Sequence, residues 1–200
     1  GSLAIEISAY GEKIITNCGG SEVGGENPAY LKYSAAHSTL ILDNTNISEI
    51  KEIGFNKDFV KKVNFETKDD ENLLLFSGTH NGYLKNYKKI CKRKLSVSKK
   101  SDLFKGEDTI ISTQSIIKKN VFHVRFHLMP EISTTITENK KNIIIKTKKN
   151  NIWMFKSNRE MLIEKSIFVN NDIANETRQI VISGITSELN TKIKWSLEKI

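Results

Sequence analysis

Short stretches in which apolar and polar side chains alternate recur along most of the chain, and they predict extended strands. The clearest is residues 121–128, VFHVRFHL, in which every second side chain is apolar. Phe122, Val124 and Phe126 share one face of this strand, which we expect to be buried between two layers. The strand should end at Met129-Pro130, because proline has no N–H to donate to a neighbouring strand.

Candidate strands follow one another at intervals of roughly 8 to 12 residues, which is typical of a sandwich or barrel. Residues 3–17 predict a hairpin with its turn at residues 10–12, and residues 35–42 predict the next strand. Between them, residues 18–34 hold too many glycines for a regular element. The later candidates are residues 58–67, 72–78, 86–98, 108–117, 120–129, 132–138, 142–148, 151–156, 161–169, 176–184 and 191–198.

Helix is predicted only weakly, as one or two turns over residues 46–54. The fold class expected is therefore all-β, a large antiparallel, supersandwich-like β-sandwich of about a dozen or more strands in two stacked sheets. Trp153 and Trp195 lie in alternating patterns and should be buried. Glu107-Asp108, which follows Gly106, is typical of a turn.

The length of 200 residues fits one domain, and we place no boundary within residues 1–200. Because the chain starts inside a strand pattern, we expect it to be the C-terminal part of a longer protein. No apolar stretch approaches the roughly 18 residues that a membrane-spanning helix needs, so membrane insertion is not expected. Cys18 and Cys91 form neither a CxxC pair nor a disulfide framework.

The net charge of +8 raises the question of a polyanionic partner. Almost all of the 31 basic residues are lysine, and isoleucine and asparagine are also abundant, as an AT-rich genome would produce. The lysines are scattered and no nucleic-acid motif accompanies them, so a nucleic-acid partner is not expected.

The polar face of the 121–128 strand carries His123, Arg125 and His127. Three cationic or titratable groups cannot lie in an apolar core without partners. They could line a groove for an anionic ligand, or they could form hydrogen bonds to neighbouring strands and loops. The residues alone favour the second interpretation.

Complete catalytic or metal-binding motifs are missing from the sequence. There is no GxSxG elbow for a serine hydrolase, and Ser38 would point away from His37 on a strand. None of the four histidines lies in HExxH spacing. His37 is the best candidate metal ligand, because it follows the glycine-rich stretch, and its alternative is a hydrogen-bonded core histidine.

Several segments occur in a characteristic order along the chain: LAIEIS, IITNCGG, SAAHSTLILDN, HNGY, KGED, VRFHLMP and NIWMF. Together they resemble the C-terminal β-domain of heparinase II/III-family proteins, over nearly all 200 residues. The resemblance implies an N-terminal α/α toroid, which this chain does not contain. It also implies a parent protein that cuts acidic polysaccharides by β-elimination.

The resemblance implies roles for few residues of this chain. The family's proton-transfer residues, a Tyr of the helical domain and a His at the start of the β-domain, would both precede residue 1, so no catalytic residue is expected here. A zinc ion in the intact parent would be held by that upstream region, by His37 and by the position of Asn17. An amide oxygen is a poor zinc ligand, so we expect no bound zinc in this chain alone.

The function expected is that of the C-terminal β-domain of a polysaccharide lyase, with His123, Arg125 and His127 as candidates for the cleft. The alternative is a non-catalytic carbohydrate-binding or structural domain. The expected partners are an acidic polysaccharide and the helical domain, and the resemblance implies the periplasm or cell envelope. The sequence does not identify the polysaccharide or the oligomeric state.

Overall fold

The computed structural model describes residues 1–20, 29–48 and 63–200, and these residues fold as two stacked β-sheets. Short helical segments are Ala29–Lys32 and Ser34–Ala36, both 3-10 turns, and the α-helix α1, Leu84–Tyr87. The strands are β1 Ile7–Ala9, β2 Glu12–Thr16, β3 Gly19–Gly20, β4 Leu40–Leu42, β5 Val63–Asp69, β6 Leu73–His80, β7 Lys89–Ser98, β8 Leu103–Ser112, β9 Val121–Leu128, β10 Ser133–Ile136, β11 Asn142–Lys146, β12 Ile152–Ser157, β13 Met161–Asn170, β14 Ile173–Ile185 and β15 Asn190–Lys199. The predicted all-β sandwich is confirmed.

Sheet A has the strand order β1-β2-β9-β14-β13-β3, with β4 also paired to β9. Sheet B has the order β10-β11-β12-β15-β8-β7-β6-β5. Neighbouring strands are antiparallel, except that β3 pairs with β13 in parallel. Strand β9 is therefore near the centre of sheet A, where its apolar face can be covered completely by sheet B.

The core between the sheets is built on the apolar face of β9. Phe122, Val124 and Phe126 are fully buried, as predicted. The Phe126 ring packs edge-on against Trp195 and Phe155 of sheet B, at centroid distances of 4.8 and 4.9 Å. Aromatic pairs in this geometry contribute about 0.5–1.5 kcal/mol beyond the apolar area that they bury. Trp153 and Trp195 are both buried, which confirms that prediction.

Two local predictions were wrong. Residues 35–42 do not form one strand, because Ser34–Ala36 is a 3-10 turn and only Leu40–Leu42 pairs with β9. Glu107-Asp108 is not a turn but the middle of β8, whose first residue is Leu103. The Asp108 carboxylate faces the core, where it pairs with Arg93 of the neighbouring strand. That partner is distant in sequence, so local turn preference gave the wrong answer.

The hairpin predicted at the N-terminus is present, but β1 begins at Ile7 rather than at residue 3. Strand β9 ends at Leu128, directly before Met129-Pro130, as predicted. The weak helix prediction at 46–54 and the start of the 58–67 strand lie mostly outside the described residues. In the part of the chain that the structure describes, no helix is long and apolar enough to cross a lipid bilayer.

Candidate functional site

The outer face of sheet A, which points away from sheet B, carries the polar side chains of β9. Register places His123 beside Ser183 and Arg125 beside Val181 on β14. The next strand, β13, contributes Glu164 to the same face. The three cationic or titratable residues predicted to share a face therefore do so, but their surroundings differ.

His127 is 2% exposed and has hydrogen-bond partners at both ring nitrogens. Nε2 lies 2.9 Å from the carbonyl oxygen of Ala35, which can only accept, so Nε2 carries the proton. Nδ1 therefore accepts from the Ser166 hydroxyl at 2.7 Å, and Cys18 Sγ is 3.5 Å from the same nitrogen. Burial is the main cause that lowers the pKa of His127 to about 4, so the ring is neutral at pH 7. This geometry gives His127 a structural role, fastening the 3-10 turn segment to sheet A.

Arg125 carries the permanent positive charge of this face. Its Nη1 donates to Glu164 Oε2 at 3.2 Å and to Gln179 Oε1 at 3.3 Å. The Arg125 side chain is 14% exposed, whereas Glu164 is 42% exposed. Arg125 Nη2 makes no hydrogen bond to another described residue. The guanidinium is thus oriented by two neighbours while a donor remains for an anionic group.

His123 is half-buried, and its Nδ1 lies 2.8 Å from the Ser183 hydroxyl oxygen. Burial and the nearby Arg125 charge lower its pKa, against a smaller opposing effect of Glu164. At neutral pH the ring is therefore uncharged and can act as a hydrogen-bond donor or acceptor. The site combines one cation, one carboxylate and a neutral imidazole.

His37 follows the Ser34–Ala36 turn and is half-buried. Burial, and secondarily the charge of the N-terminal amine, lower its pKa to about 4. Gly1 packs against the ring, since a Cβ added at Gly1 would lie 2.9 Å from His37 Cγ. His37 also lies near enough to His127 to disfavour its protonation. It therefore marks one end of the polar face of sheet A.

Asn17 holds β2 to the segment that carries His37. Its Nδ2 donates to Glu6 Oε1 at 3.1 Å, and its Oδ1 accepts from the Ser38 N–H at 2.9 Å. Both ends of the carboxamide are thus engaged by the protein. An aspartate here could not donate to Glu6 and would place two carboxylates in contact, which is unfavourable unless a proton or cation intervenes.

The zinc site that the resemblance implies does not fit the residues present. Structural zinc takes four strong ligands, and His37 supplies one. Across residues 1–20, 29–48 and 63–200, no three or more His, Cys, Asp or Glu side chains are grouped to hold a metal ion. The oxygen of Asn17 is a weak ligand and already accepts a hydrogen bond.

Ser38 connects three parts of the fold through hydrogen bonds, which the alternation of apolar and polar residues did not predict. Its hydroxyl donates to the Thr16 carbonyl at 2.5 Å and accepts from the His127 N–H at 2.8 Å. Its own carbonyl accepts from Arg93 Nη1 at 2.8 Å. This buried serine therefore joins β2 and β9 and links them to sheet B.

Arg93 and Asp108 form a buried pair that sequence reasoning missed. Arg93 Nε donates to Asp108 Oδ1 at 2.7 Å and Nη2 donates to Oδ2 at 3.0 Å. Arg93 Nη1 also reaches the Leu3 carbonyl, and Trp195 Nε1 donates to Asp108 Oδ2. A signal was present, because Arg93 alternates in phase with the inward-facing Cys91 in an otherwise lysine-rich strand. The pair lies on sheet B, and through the bond from Arg93 to the Ser38 carbonyl it supports the segment that carries His37.

Residues 1–196 match the family model described as "Heparinase II/III-like, C-terminal". The chain is similar to "FtsZ-localized protein C" of Caulobacter vibrioides, with 26% identity over 214 residues that cover 98% of this chain and 36% of that protein.

Solved structures with the same fold include the heparan sulfate lyase HepC of Pedobacter heparinus, with a TM-score of 0.75 and 15% identity. A heparinase III structure superposes with a TM-score of 0.73 and 14% identity. The matches cover 98% of this chain but 30% and 29% of those two chains. At such identities the likeness shows the fold, and the chain spans about a third of the length of the proteins that it matches.

Proposed function

Because the chain belongs to the heparinase II/III-like C-terminal family, we propose that it is the β-domain of a polysaccharide lyase that cuts uronic-acid-containing chains by β-elimination. In that reaction a base removes the proton at sugar C5, next to the carboxylate. The C4–O bond breaks as a C4=C5 double bond forms, and an acid protonates the leaving oxygen. The reaction needs a cation or hydrogen-bond donors at the carboxylate, where negative charge develops.

The observation that supports this proposal is the position of Arg125. It is a permanent cation on the outer face of sheet A, oriented by Glu164 and Gln179. A guanidinium with a remaining donor suits a sugar carboxylate, because its N–H groups match the carboxylate geometry. His123 offers a neutral imidazole on the same face. These two residues form the β side of the cleft, with His37 at one end.

The rest of the proposed cleft belongs to the helical domain and to residues that precede this chain. The proton-transfer groups are thus assigned outside the chain, and Arg125 and His123 bind and orient the polysaccharide.

The test is made on the longer natural protein that contains this chain. We expect Arg125→Gln to lower kcat/KM on a cleavable uronate polymer by about 10- to 100-fold, as loss of a charged hydrogen bond predicts. Cleavage is followed by the ultraviolet absorbance of the unsaturated product. Arg178→Gln is the matched control, because Arg178 is an exposed arginine of β14 that alternates out of phase with Gln179. Equal effects of the two substitutions would count against the proposal.

A non-catalytic function is the second candidate, and Asn17 favours it. Where the resemblance implies an acidic metal ligand, this chain has an amide already bonded to Glu6 and Ser38. The similarity to a protein named for localisation with FtsZ points the same way. If the longer protein leaves a panel of uronate polymers intact but still binds them, this candidate replaces the lyase.

A further inference from the structure

The outer face of sheet B, on the opposite side of the sandwich from Arg125, forms a groove of about 750 Å³. Six adjacent strands contribute to it, in the order β12-β15-β8-β7-β6-β5. The volume lies within the roughly 300–1,000 Å³ range of ligand-binding clefts in proteins. Because the lining comes from strands that are hydrogen-bonded to one another, the groove is a curved face of a single sheet rather than a gap between layers.

Strand alternation gives this groove a distinctive chemistry. Trp195 points into the core, so its neighbour Ser196 points out, and the same alternation turns Ser96 and Ser77 outward on β7 and β6. Small hydroxyl side chains and the outward-facing Leu75 therefore form the floor of the groove. The aromatic rings of the lining belong to Trp195 and Phe76, which lie on the inner face.

Lysines surround this floor. Those that line the groove are Lys68, Lys94, Lys105, Lys156 and Lys194, against two carboxylates, Glu66 and Glu107. Lys156 is paired with Glu198 at 3.2 Å, just outside the groove. Lys94, Lys105 and Lys194 are exposed and form no ion pair of 4.0 Å or less with another described residue.

We propose that this groove binds a segment of an acidic polysaccharide, at a site separate from the proposed cleft on sheet A. The lining has more ammonium groups than carboxylates. These ammonium groups and the serine hydroxyls match the carboxylate or sulfate groups and the hydroxyls of such a chain. The floor offers no outward aromatic platform for nucleobases. The site goes beyond the proposed function, because it would hold a polymer without acting on it.

The experiment measures binding of a size-defined heparin oligosaccharide and of an oligogalacturonate to the 200-residue chain at several salt concentrations. We expect Lys94→Gln/Lys194→Gln to weaken binding by about tenfold at low salt, as the loss of two ion pairs predicts. The matched control is Lys119→Gln/Lys141→Gln, which removes the same charge from exposed lysines that do not line the groove. Equal losses in the two double variants would overturn the proposal.

Two further binding measurements test the location of the site and the class of its ligand. Lys94→Gln/Lys194→Gln should weaken binding by the same factor in an Arg125→Gln background as in the natural chain, because Arg125 lies on the other sheet. If the factor disappears in that background, the two sheets do not hold separate sites and the proposal is overturned. Poly-L-glutamate tests whether charge alone suffices. If it binds as tightly as the oligosaccharides and shows the same dependence on Lys94 and Lys194, the groove is a site for acidic protein segments and the polysaccharide assignment is wrong.

Discussion

The Arg93–Asp108 ion pair shows how single residues support the site from inside the sandwich. Both side chains are almost completely buried, at 1% and 3% exposure. Removing one partner of such a pair leaves a charge without compensation in the core, which typically costs about 3–5 kcal/mol. Since Arg93 also donates to the Ser38 carbonyl, its disturbance would reach the segment that carries His37.

We therefore expect Asp108→Asn to lower the free energy of unfolding by about 3 kcal/mol or more. Urea denaturation followed by tryptophan fluorescence measures this change. Lys148→Gln is the control, because the Lys148–Glu131 pair is exposed at 71% and 62% and should contribute less than about 1 kcal/mol. Similar effects of the two substitutions would show that the buried pair has no special importance.

His127 should make stability depend on pH. Its folded-state pKa of about 4 is below the value near 6.5 that an unfolded chain would have. The folded state therefore binds fewer protons between these two values. The contribution of the neutral His127 ring to the free energy of unfolding is therefore fully present above pH 6.5 and is lost as pH falls towards 4.

The measurement is urea unfolding at several pH values between about 5 and 7, where most carboxylates stay ionised. We expect the stability of the natural chain to fall with decreasing pH by up to about 1.4 kcal/mol per pH unit more than that of His127→Gln. Glutamine keeps a donor for the Ala35 carbonyl but does not titrate. Parallel pH profiles for the two proteins would contradict the assignment of a buried, neutral His127.

At the scale of elements, Gly106 allows β8 and β15 to pair beneath a large aromatic side chain. Trp195 lies opposite Gly106 in the register, and a Cβ on Gly106 would be 2.1 Å from Trp195 Cζ2. No side chain fits at that distance without displacing the indole. The indole in turn donates to Asp108, so its displacement would disturb the buried ion pair.

We expect Gly106→Ala to destabilise the protein by about 1–3 kcal/mol through overpacking. In a double-mutant cycle, the cost should be much smaller in a Trp195→Leu background, because the clashing ring is gone. Thermal or urea denaturation of the four proteins gives the coupling energy. Strictly additive effects would show that the Trp195 indole is not what restricts position 106.

Strand β9 illustrates what alternation can and cannot predict. Its two faces followed from the sequence because a strand has a side-chain period of two and a core on one side. Arg125 and His127 lie on the same face, yet one keeps an open donor and the other is sealed beneath the 3-10 turn at Ala35. That difference depends on which distant segment covers the face, and the period of a strand holds no information about it.

The same limit explains Asp108. Local sequence, Gly106 followed by two acidic residues, is typical of a turn, whereas the structure places the carboxylate against Arg93 of the neighbouring strand. Asn17 was identified from the resemblance as a departure at the metal position. Its bonds to Glu6 and Ser38 could not be predicted from sequence, because they join separate strands and loops.

The whole molecule presents two differently organised polar faces on one sandwich. On sheet A, the polar side chains of β9 each have a hydrogen-bond partner or are buried, as Arg125 and His127 are. Sheet B carries Lys94, Lys105 and Lys194, which form no ion pair with another described residue, around a floor of serines and Leu75. A net charge of +8 contributes to both faces, but interactions through exposed lysines should weaken with salt more than one through a partly buried arginine.

The proton-transfer groups are proposed to lie outside this chain. We therefore predict that the 200-residue chain by itself will not cleave any uronate polymer. Removal of the C5 proton needs a base, an acid and carboxylate-neutralising groups held together around the sugar. Arg125 and His123 line only one wall, and loss of members of such a set removes most of the rate.

We expect the chain to produce no unsaturated product from a panel of uronate polymers, while the longer natural protein does so. Both proteins are incubated with each polymer under the same conditions, and ultraviolet absorbance is recorded over time. Activity of the isolated chain, abolished by His123→Ala, would place the base within the β-domain itself. In that event His123, whose lowered pKa keeps its ring neutral, would be a proton acceptor rather than a binding residue.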